Sequence, residues 1–242
     1  MKTQKHYFTI FLLMTFINFG HAQGLEDFFA KTDKFFNTFV IKDNVDYDLL
    51  KSNPEQLDNV LNIAADVDLG NVSLNNYKAF WVNCYNLLVI KGILDKYPVK
   101  TVLDIDGFFT TATYKVAKEY ITLKNIEKQK LKLFLKDPFL NFVLVCGANG
   151  CPPLIDRAYL PESIDNQLLD QTAKSINNPK FIRIDEKNKI IEVSEIFDWY
   201  KEDFVDKEGK IIDFINKFRT NKIDNDYKVS YYKYNWSLNK KK

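Results

Sequence analysis

The residues best suited to chemistry lie in the segment NFVLVCGANGCPPLID, which spans residues 141–156. An apolar run leads into Cys146, and a Gly-Ala-Asn-Gly turn separates it from Cys151. Backbone N–H groups in such a turn can stabilise an oxyanion or lower the pKa of a thiol. The segment therefore makes Cys146 a candidate nucleophile and Asn149, inside the turn, a candidate ligand-binding residue.

The two cysteines of this segment also suit a disulfide. Four residues separate them, and a turn of that length can bring two Cα atoms within the roughly 4.4–6.8 Å that a disulfide requires. An oxidising compartment would favour the bond. A Cys146–Cys151 disulfide, two free structural thiols and a reactive Cys146 all remain open on the sequence. The third cysteine, Cys84, lies in an apolar segment, where a small buried thiol packs well.

Histidine is confined to one end of the chain. His6 and His21 both lie in the first 22 residues, and histidine is the commonest general base and transition-metal ligand. A Cys-His dyad, a Ser-His-Asp triad and the usual zinc sites are thereby excluded from residues 23–242. Cys146 would need another activator. Glu127 is the candidate we name, and Lys128, Asp156, Arg157 or a tyrosine are alternatives. We expect neither a metal site nor a cofactor.

The first 22 residues have the pattern of an export signal. Lys2 and Lys5 precede an apolar run over residues 7–19, and small residues favour cleavage after Ala22. This run is too short to cross a bilayer, which takes about 20 residues. We therefore expect an exported protein, periplasmic or secreted, with one domain over residues 23–242.

Composition excludes one class of partner. The chain has 34 basic and 32 acidic side chains, and Lys2 and Lys5 are two of the basic ones, so residues 23–242 carry 32 of each. A nucleic-acid-binding protein would show a basic excess. No second apolar run is long enough to span a membrane. We therefore expect an envelope or extracellular ligand, no nucleic-acid partner and no stable membrane span.

Hydrophobic periodicity predicts a mixed α+β domain that is helix-rich in its first half. Ser73 can cap a helix that runs to Tyr97, and residues 79–94 are apolar on nearly every side, as in a central buried helix. The run from Asn141 to Cys146 is typical of a central strand. We expect the central helix to pack on a small, largely antiparallel sheet. Further helices are predicted at 25–40, 53–67, 122–135, 161–176, 194–205 and 210–219, and strands or hairpins at 110–122, 180–194 and 227–239.

Five segments together resemble the domain of unknown function 547 family. They are AFWVNCYNLLVIKGILDKYPVKTV (79–102), ITLKNIE (121–127), DPFLNFVLVCGANGCPPLIDRAY (137–159), IFDWYKEDF (196–204) and YNWSLN (234–239). The combination of FWxNxYN with VCGxxGCPPL is specific, and the best-matching core spans residues 79–204. The family is widespread among exported bacterial proteins and has no settled activity, so the resemblance implies sites to examine rather than a reaction.

The chain departs from the family pattern at two positions. Many members carry a histidine directly after the Ile-Glu of the ITLKNIE segment, where this chain has Lys128. Many carry another before the first cysteine of the motif, where this chain has Asn141. If the family used a Cys-His pair, this member would lack the histidine at both matched positions. The resemblance therefore favours an inactive protein, or a different chemistry, for this chain.

A second group of candidates combines polar and aromatic side chains. Asn83 and Asn86 lie three residues apart on one helical face. They either tie a loop or strand to the central helix, which is the favoured interpretation, or line a pocket. The aromatic residues of WVNCYN and IFDWYKEDF either pack in the core or line the same cleft. The ligand-binding candidates are therefore Asn83, Tyr85, Asn86, Asn149, Trp199 and Tyr200.

Two functions of different classes follow from these residues. The first is a non-catalytic envelope module that binds a peptide, a glycan or a partner through an aromatic-rimmed cleft, and it accounts for the lack of histidine. The alternative is a cysteine-dependent hydrolase or acyl transferase with Cys146 as nucleophile. A thiol redox protein is disfavoured because the spacing is C-x4-C instead of C-x-x-C. The binding module is the prediction.

Overall fold

The computed structural model describes residues 23–205 and 209–242. The predicted signal peptide, residues 1–22, lies outside the described residues. Within the described part, no helix is both long and apolar enough to cross a bilayer. The helices are α1 (residues 23–39), α2 (Tyr47–Ser52), α3 (Glu55–Asp66), α4 (Leu74–Leu94), α5 (Leu123–Asn125), α6 (Leu133–Leu135), α7 (Ile164–Ile176), α8 (Ile196–Trp199), α9 (Lys201–Phe204) and α10 (Ile211–Phe218), with 3-10 turns at Val102–Asp104 and Pro138–Phe142.

The strands of the described residues form three small sheets. Two of the sheets are antiparallel hairpins, β1 with β2 and β3 with β4. In the third, β5 pairs antiparallel with β6, and β6 pairs parallel with β7. The architecture is the predicted mixed α+β fold. The strands are β1 (Val40–Ile41), β2 (Asn44–Val45), β3 (Thr113–Val116), β4 (Glu119–Thr122), β5 (Ile182–Asp185), β6 (Ile190–Ser194) and β7 (Lys228–Tyr232).

Helix α4 lies at the centre of the larger hydrophobic core. Its N-terminus is capped as predicted, because Ser73 Oγ accepts a hydrogen bond of 3.1 Å from the Asn76 N–H. Almost every side chain from Lys78 to Ile93 is buried. The helix packs against α2, α3, α5 and α7. A helix that is apolar all round can be stable in water only when other elements cover it on all sides.

The predicted central strand over residues 141–146 is wrong. Residues up to Phe142 belong to a 3-10 turn, Val143 lies in a turn, and residues 144–146 have no regular secondary structure and pair with no strand. The Asn86 amide takes the place of a neighbouring strand: its Nδ2 donates to the Val143 carbonyl at 2.9 Å, and its Oδ1 accepts from the Val145 N–H at 3.0 Å. The buried backbone is thus satisfied by a helix side chain instead of a ladder.

Asn83 makes the same kind of contact one helical turn earlier. Its Nδ2 donates to the carbonyl of Tyr159 at 2.7 Å, and its Oδ1 accepts from the N–H of Tyr159 at 3.0 Å. Both amides are fully buried. Asn86 therefore attaches the start of the cysteine-containing segment to α4, and Asn83 attaches the chain just after its end.

A second, smaller core lies under β5, β6 and helices α8 to α10. Several of its members are phenylalanines, among them Phe142, Phe197 and Phe204. Phe139, Cys151 and Trp236 pack against both cores. The cysteine segment is therefore the connection between the two cores.

Three other predicted elements differ from the structure. The helix predicted at 194–205 is two short turns, α8 and α9, because Tyr200 leaves helical geometry with φ −118° and ψ 31°. The closing strand predicted at 227–239 ends at Tyr232. The helix predicted at 122–135 consists of α5, a π-helical segment (Ile126–Lys132) and α6.

Candidate functional site

A pocket of ≈ 290 Å³, here called the aromatic pocket, opens where the two cores meet. Tyr85 and Leu144 border it from the larger core, and Ile196 and Tyr234 border it from the smaller one. Ligand sites typically combine apolar walls with a few polar groups. The lining has this composition: Tyr85, Phe109, Leu144, Cys146, Pro152, Ile196, Trp199, Tyr200, Tyr234 and Trp236, with the polar side chains Lys124, Glu127, Lys132 and Asn141.

Three aromatic rings form one wall of the aromatic pocket. The rings of Trp199 and Trp236 are nearly parallel, at an interplanar angle of 24° and a centroid distance of 5.9 Å. Tyr234 lies against both, at 4.9 Å from Trp199 and 4.8 Å from Trp236. Trp199 is nevertheless 45% exposed. The wall therefore presents a large, flat apolar surface that its neighbours hold in place.

A network of polar side chains forms another part of the lining and extends to Asp203 behind it. Lys132 Nζ lies 2.6 Å from Asn141 Oδ1, 3.4 Å from Asp203 Oδ2 and 3.5 Å from Glu127 Oε1. Asn141 Nδ2 also donates to Asp203 Oδ2 at 2.8 Å. The hydroxyl of Tyr200 donates to Glu127 Oε1 at 2.9 Å, and its ring lies 3.1 Å below Lys132 Nζ. One ammonium group thus connects two carboxylates, an amide and an aromatic face.

Burial changes the acid–base properties of this network. It lowers the pKa of Lys132, although the carboxylates of Glu127 and Asp203 act in the opposite direction. Burial, together with the Glu127 charge, raises the pKa of Tyr200. The pKa values of Tyr85 and Tyr234 are also raised, chiefly by burial. These tyrosine hydroxyls therefore stay protonated at neutral pH and can donate hydrogen bonds.

The π-helical segment explains why Glu127 and Lys132 meet. They are five positions apart in the chain, and in an α-helix of 3.6 residues per turn they would point about 140° apart. A π-helix is closed by hydrogen bonds between residues five apart, so side chains at that spacing lie above one another. Single π-helical turns occur frequently at functional sites.

Cys146 and Cys151 form a disulfide in the structure. Their Cα atoms are 6.3 Å apart, and the hydroxyl of Tyr234 lies 3.1 Å from each sulfur. Within the turn, the Gly150 N–H already donates to the carbonyl of Asn235. A sulfur atom in a disulfide is not a thiolate, so the role of Cys146 as a nucleophile stays a prediction that concerns the reduced protein.

Residues 69–176 match the family model described as protein of unknown function, DUF547. This segment of the chain belongs to the DUF547 family. The matched segment contains Tyr85, Glu127, Lys132 and Asn141, which line one part of the pocket, and both cysteines of the disulfide. The aromatic wall of this DUF547 protein lies outside the matched residues. No curated protein and no solved structure matches the chain.

The structure brings most of the predicted site residues of this DUF547 protein together and separates others. Three predicted residues lie outside the aromatic pocket. Asn83 and Asn86 hydrogen-bond to backbone groups in the core. Asn149 lies in the disulfide turn, where its Nδ2 donates to the Leu238 carbonyl at 3.0 Å. Lys128 is exposed and Asn141 faces the pocket, so only one of the two positions that lack the family's histidine belongs to the site. The predicted residues that line the aromatic pocket are Tyr85, Glu127, Cys146, Trp199 and Tyr200.

Sequence analysis missed several residues of the site. Lys132 gives no signal, because a helical interpretation with α geometry places it away from Glu127. The alternation of residues 227–239 places Tyr234 and Trp236 in a closing strand, although YNWSLN is one of the segments that carry the family resemblance. Among the described residues, no group of three or more His, Cys, Asp or Glu side chains is arranged to hold a metal ion.

Proposed function

We propose that this DUF547 protein is a non-catalytic binding module of the cell envelope, and that its aromatic pocket holds one sugar unit of an envelope glycan. The observation that carries the proposal is the combination of an open aromatic wall with a polar network whose members are already paired. Such a surface is ready to bind without rearrangement, which lowers the entropic cost of association.

The chemistry of the lining supports a sugar as the ligand. A sugar ring has an apolar C–H face, which can stack on the flat wall formed by Trp199 and Trp236. Its hydroxyl groups both donate and accept hydrogen bonds, and the lining offers a carboxylate on Glu127 and an ammonium group on Lys124. A volume of ≈ 290 Å³ is at the small end for ligand pockets, which suits one ring rather than a long segment.

Three further observations support a module of this kind. No histidine occurs in residues 23–242, so the commonest general base is missing from this part of the chain. The disulfide suits an oxidising compartment. The export pattern of residues 1–22 would deliver the protein there, and mass spectrometry of the purified protein should then find an N-terminus at Gln23.

Tryptophan fluorescence tests the binding of a glycan. The chain has three tryptophans; Trp81 is buried in the larger core, while Trp199 and Trp236 line the pocket. Fragments of envelope glycan should therefore change the emission saturably. Trp199→Ala should weaken binding about tenfold or more, as for a central aromatic contact. Tyr120→Ala, which removes a 76% exposed aromatic side chain outside the pocket, is the matched control.

Two results would contradict this proposal. If short peptides gave a saturable change in emission and no glycan did, the ligand would be a peptide instead of a sugar. An equal loss of affinity in Trp199→Ala and Tyr120→Ala would remove the aromatic pocket as the binding site.

The alternative, a cysteine-dependent hydrolase or acyl transferase, is favoured by one observation: Cys146 lines the same pocket as Glu127. It requires that the disulfide be open. Cys151→Ser leaves Cys146 as a free thiol and is the direct test. Turnover of an ester or amide by this variant, lost on the further change Cys146→Ser, would establish the enzyme and contradict a non-catalytic module.

A further inference from the structure

A second pocket, of ≈ 430 Å³, lies next to the disulfide turn. Residues 148–153 line it, and it shares Pro152 with the aromatic pocket. The rest of its lining comes from the β1–β2 turn, from strand β5 and the residues before it, and from the chain around Asn235 and Asn239. Unlike the aromatic pocket, it is lined mainly by polar groups, and we call it the polar pocket.

The charged side chains of the polar pocket are predominantly basic. Lys42, Lys180 and Arg183 line it, against one acid, Asp43. Asp43 is already paired, at 3.0 Å, with Lys174 outside the pocket. Within residues 23–205 and 209–242, Lys42 and Lys180 have no ion-pair partner. Because residues 23–242 carry equal numbers of basic and acidic side chains, this is a local excess of positive charge.

Arg183 is held in position inside this lining. Its guanidinium carbon lies 3.9 Å from the centre of the Tyr232 ring, and its nearest carboxylate oxygen, on Glu192, is 3.8 Å away. The ring of Tyr232 is fixed in turn, because its hydroxyl donates to the Phe181 carbonyl at 3.1 Å. A stacked guanidinium retains N–H groups for bidentate contact with a carboxylate or phosphate.

An unpaired buried amide is the second, independent observation. Asn239 is only 5% exposed and lines the polar pocket. Its amide oxygen has no hydrogen-bond partner among the described residues. A buried polar group without a partner costs about 1–3 kcal/mol. A ligand that supplies the missing hydrogen-bond partner would explain why this amide is buried.

We propose that the polar pocket binds an anionic group, namely a carboxylate, phosphate or sulfate. Arg183 and Lys180 pair with the charge, and the Asn239 amide hydrogen-bonds to the same group or to a hydroxyl beside it. This inference does not depend on the sugar site, because no residue of the aromatic pocket takes part except the shared Pro152.

Nuclear magnetic resonance titration of the isotope-labelled protein tests the inference. Sodium sulfate, phosphate and acetate are added separately, at an ionic strength held constant with sodium chloride. At least one of them should shift the signals of the Gly150 amide and the Asn239 side chain saturably, and the effective anion identifies the class of ligand. Arg183→Gln should weaken this binding about tenfold or more, since it removes a charged hydrogen bond. Lys187→Gln, which removes a lysine outside the pocket, should not.

Asn239→Leu separates a ligand-binding role from a structural one. Because the amide oxygen has no partner among the described residues, its loss should leave the thermal midpoint unchanged or higher while weakening anion binding. A lower midpoint with unchanged anion binding would overturn the inference. Shifts scattered over all lysines without saturation, or equal effects of Arg183→Gln and Lys187→Gln, would also overturn it.

Discussion

Lys132 is the residue on which the polar network of the aromatic pocket depends. Its ammonium group contacts Asn141, Asp203 and Glu127 and covers the ring of Tyr200. Burial makes this charge costly, and the two carboxylates and the aromatic face compensate for that cost. Without Lys132, the two carboxylates would be left close together with no cation between them.

Lys132→Met should therefore lower the free energy of unfolding. We expect a loss of about 1–3 kcal/mol, between the values for exposed and for fully buried ion pairs. Urea unfolding at neutral pH measures the loss. Lys128→Met, which removes an exposed lysine of the same π-helical segment, should change stability by less than about 0.5 kcal/mol. Equal effects of the two variants would show that the network contributes nothing to stability.

At Gly92, the side chains of Tyr114 and Phe108 pack directly against the backbone of α4. A Cβ atom there would lie 2.5 Å from the Tyr114 hydroxyl and 2.8 Å from Phe108 Cε2. Alanine normally stabilises a helix relative to glycine by about 1 kcal/mol, but overpacking costs about 1–3 kcal/mol.

Gly92→Ala should thus destabilise the protein by about 1–2 kcal/mol in spite of its better helix propensity. Gly24→Ala is the matched control, because residue 24 is also helical and a Cβ atom there would meet nothing within 4 Å. Thermal unfolding of both variants is the measurement. A Gly92→Ala protein as stable as the parent would mean that Tyr114 and Phe108 move aside at no cost.

At the scale of elements, α4 supplies the hydrogen bonds to buried backbone that the sequence predicts a sheet to supply. Its buried amides, on Asn83 and Asn86, hold two backbone segments that would otherwise need strand partners. The run over residues 141–146 has strand composition, but composition does not reveal which groups satisfy a backbone. The interpretation of Asn83 and Asn86 as contacts between the helix and a loop describes their contacts in the structure.

Asn86→Leu should release the chain between Val143 and Val145. Two buried backbone groups lose their partners, so we expect a loss of about 2–4 kcal/mol. Hydrogen exchange should accelerate at the Val145 amide and at its neighbours in the disulfide turn. Asn76→Leu, at a half-buried position on the same helix, should cost less than about 1 kcal/mol. Unchanged protection at Val145 in Asn86→Leu would contradict this account of the segment.

At the scale of the whole molecule, the aromatic pocket exists because two cores are joined side by side. Each core is formed by a separate set of helices and strands, and the cysteine segment packs against both cores. Both cores bury tyrosines, and burial is the largest cause of the raised pKa of Tyr47, Tyr85, Tyr114, Tyr159 and Tyr234.

The buried tyrosines predict that stability falls at alkaline pH. The unfolded chain releases tyrosine protons near pH 10, while the folded protein keeps them; the pKa of Tyr114, for example, is raised to about 12. The unfolded state then binds fewer protons, so stability is full below pH 10 and declines above it. Lys132, with its lowered pKa, opposes the trend as a single group.

Urea unfolding between pH 8 and pH 12 checks this dependence. Each tyrosine that stays protonated contributes a slope of up to about 1.4 kcal/mol per pH unit. Tyr114→Phe should make the decline less steep between pH 10 and 12, whereas Tyr120→Phe, at an exposed position, should not. Stability that is constant up to pH 12 would show that the tyrosines ionise freely in the folded protein.

The sequence by itself determined the features that depend on local pattern. The capped apolar helix α4, the hairpins at 110–122 and 180–194, the mixed α+β class and the family resemblance all follow from periodicity, caps, turns and motifs within short segments. Only the tertiary structure decided which side chains meet. The pairing of Glu127 with Lys132 depends on a π-helical turn, and the presence of Tyr85, Trp199 and Trp236 in one pocket depends on the docking of two cores. Contacts between residues so far apart in the chain are selected by the packing of whole elements, which no local pattern encodes.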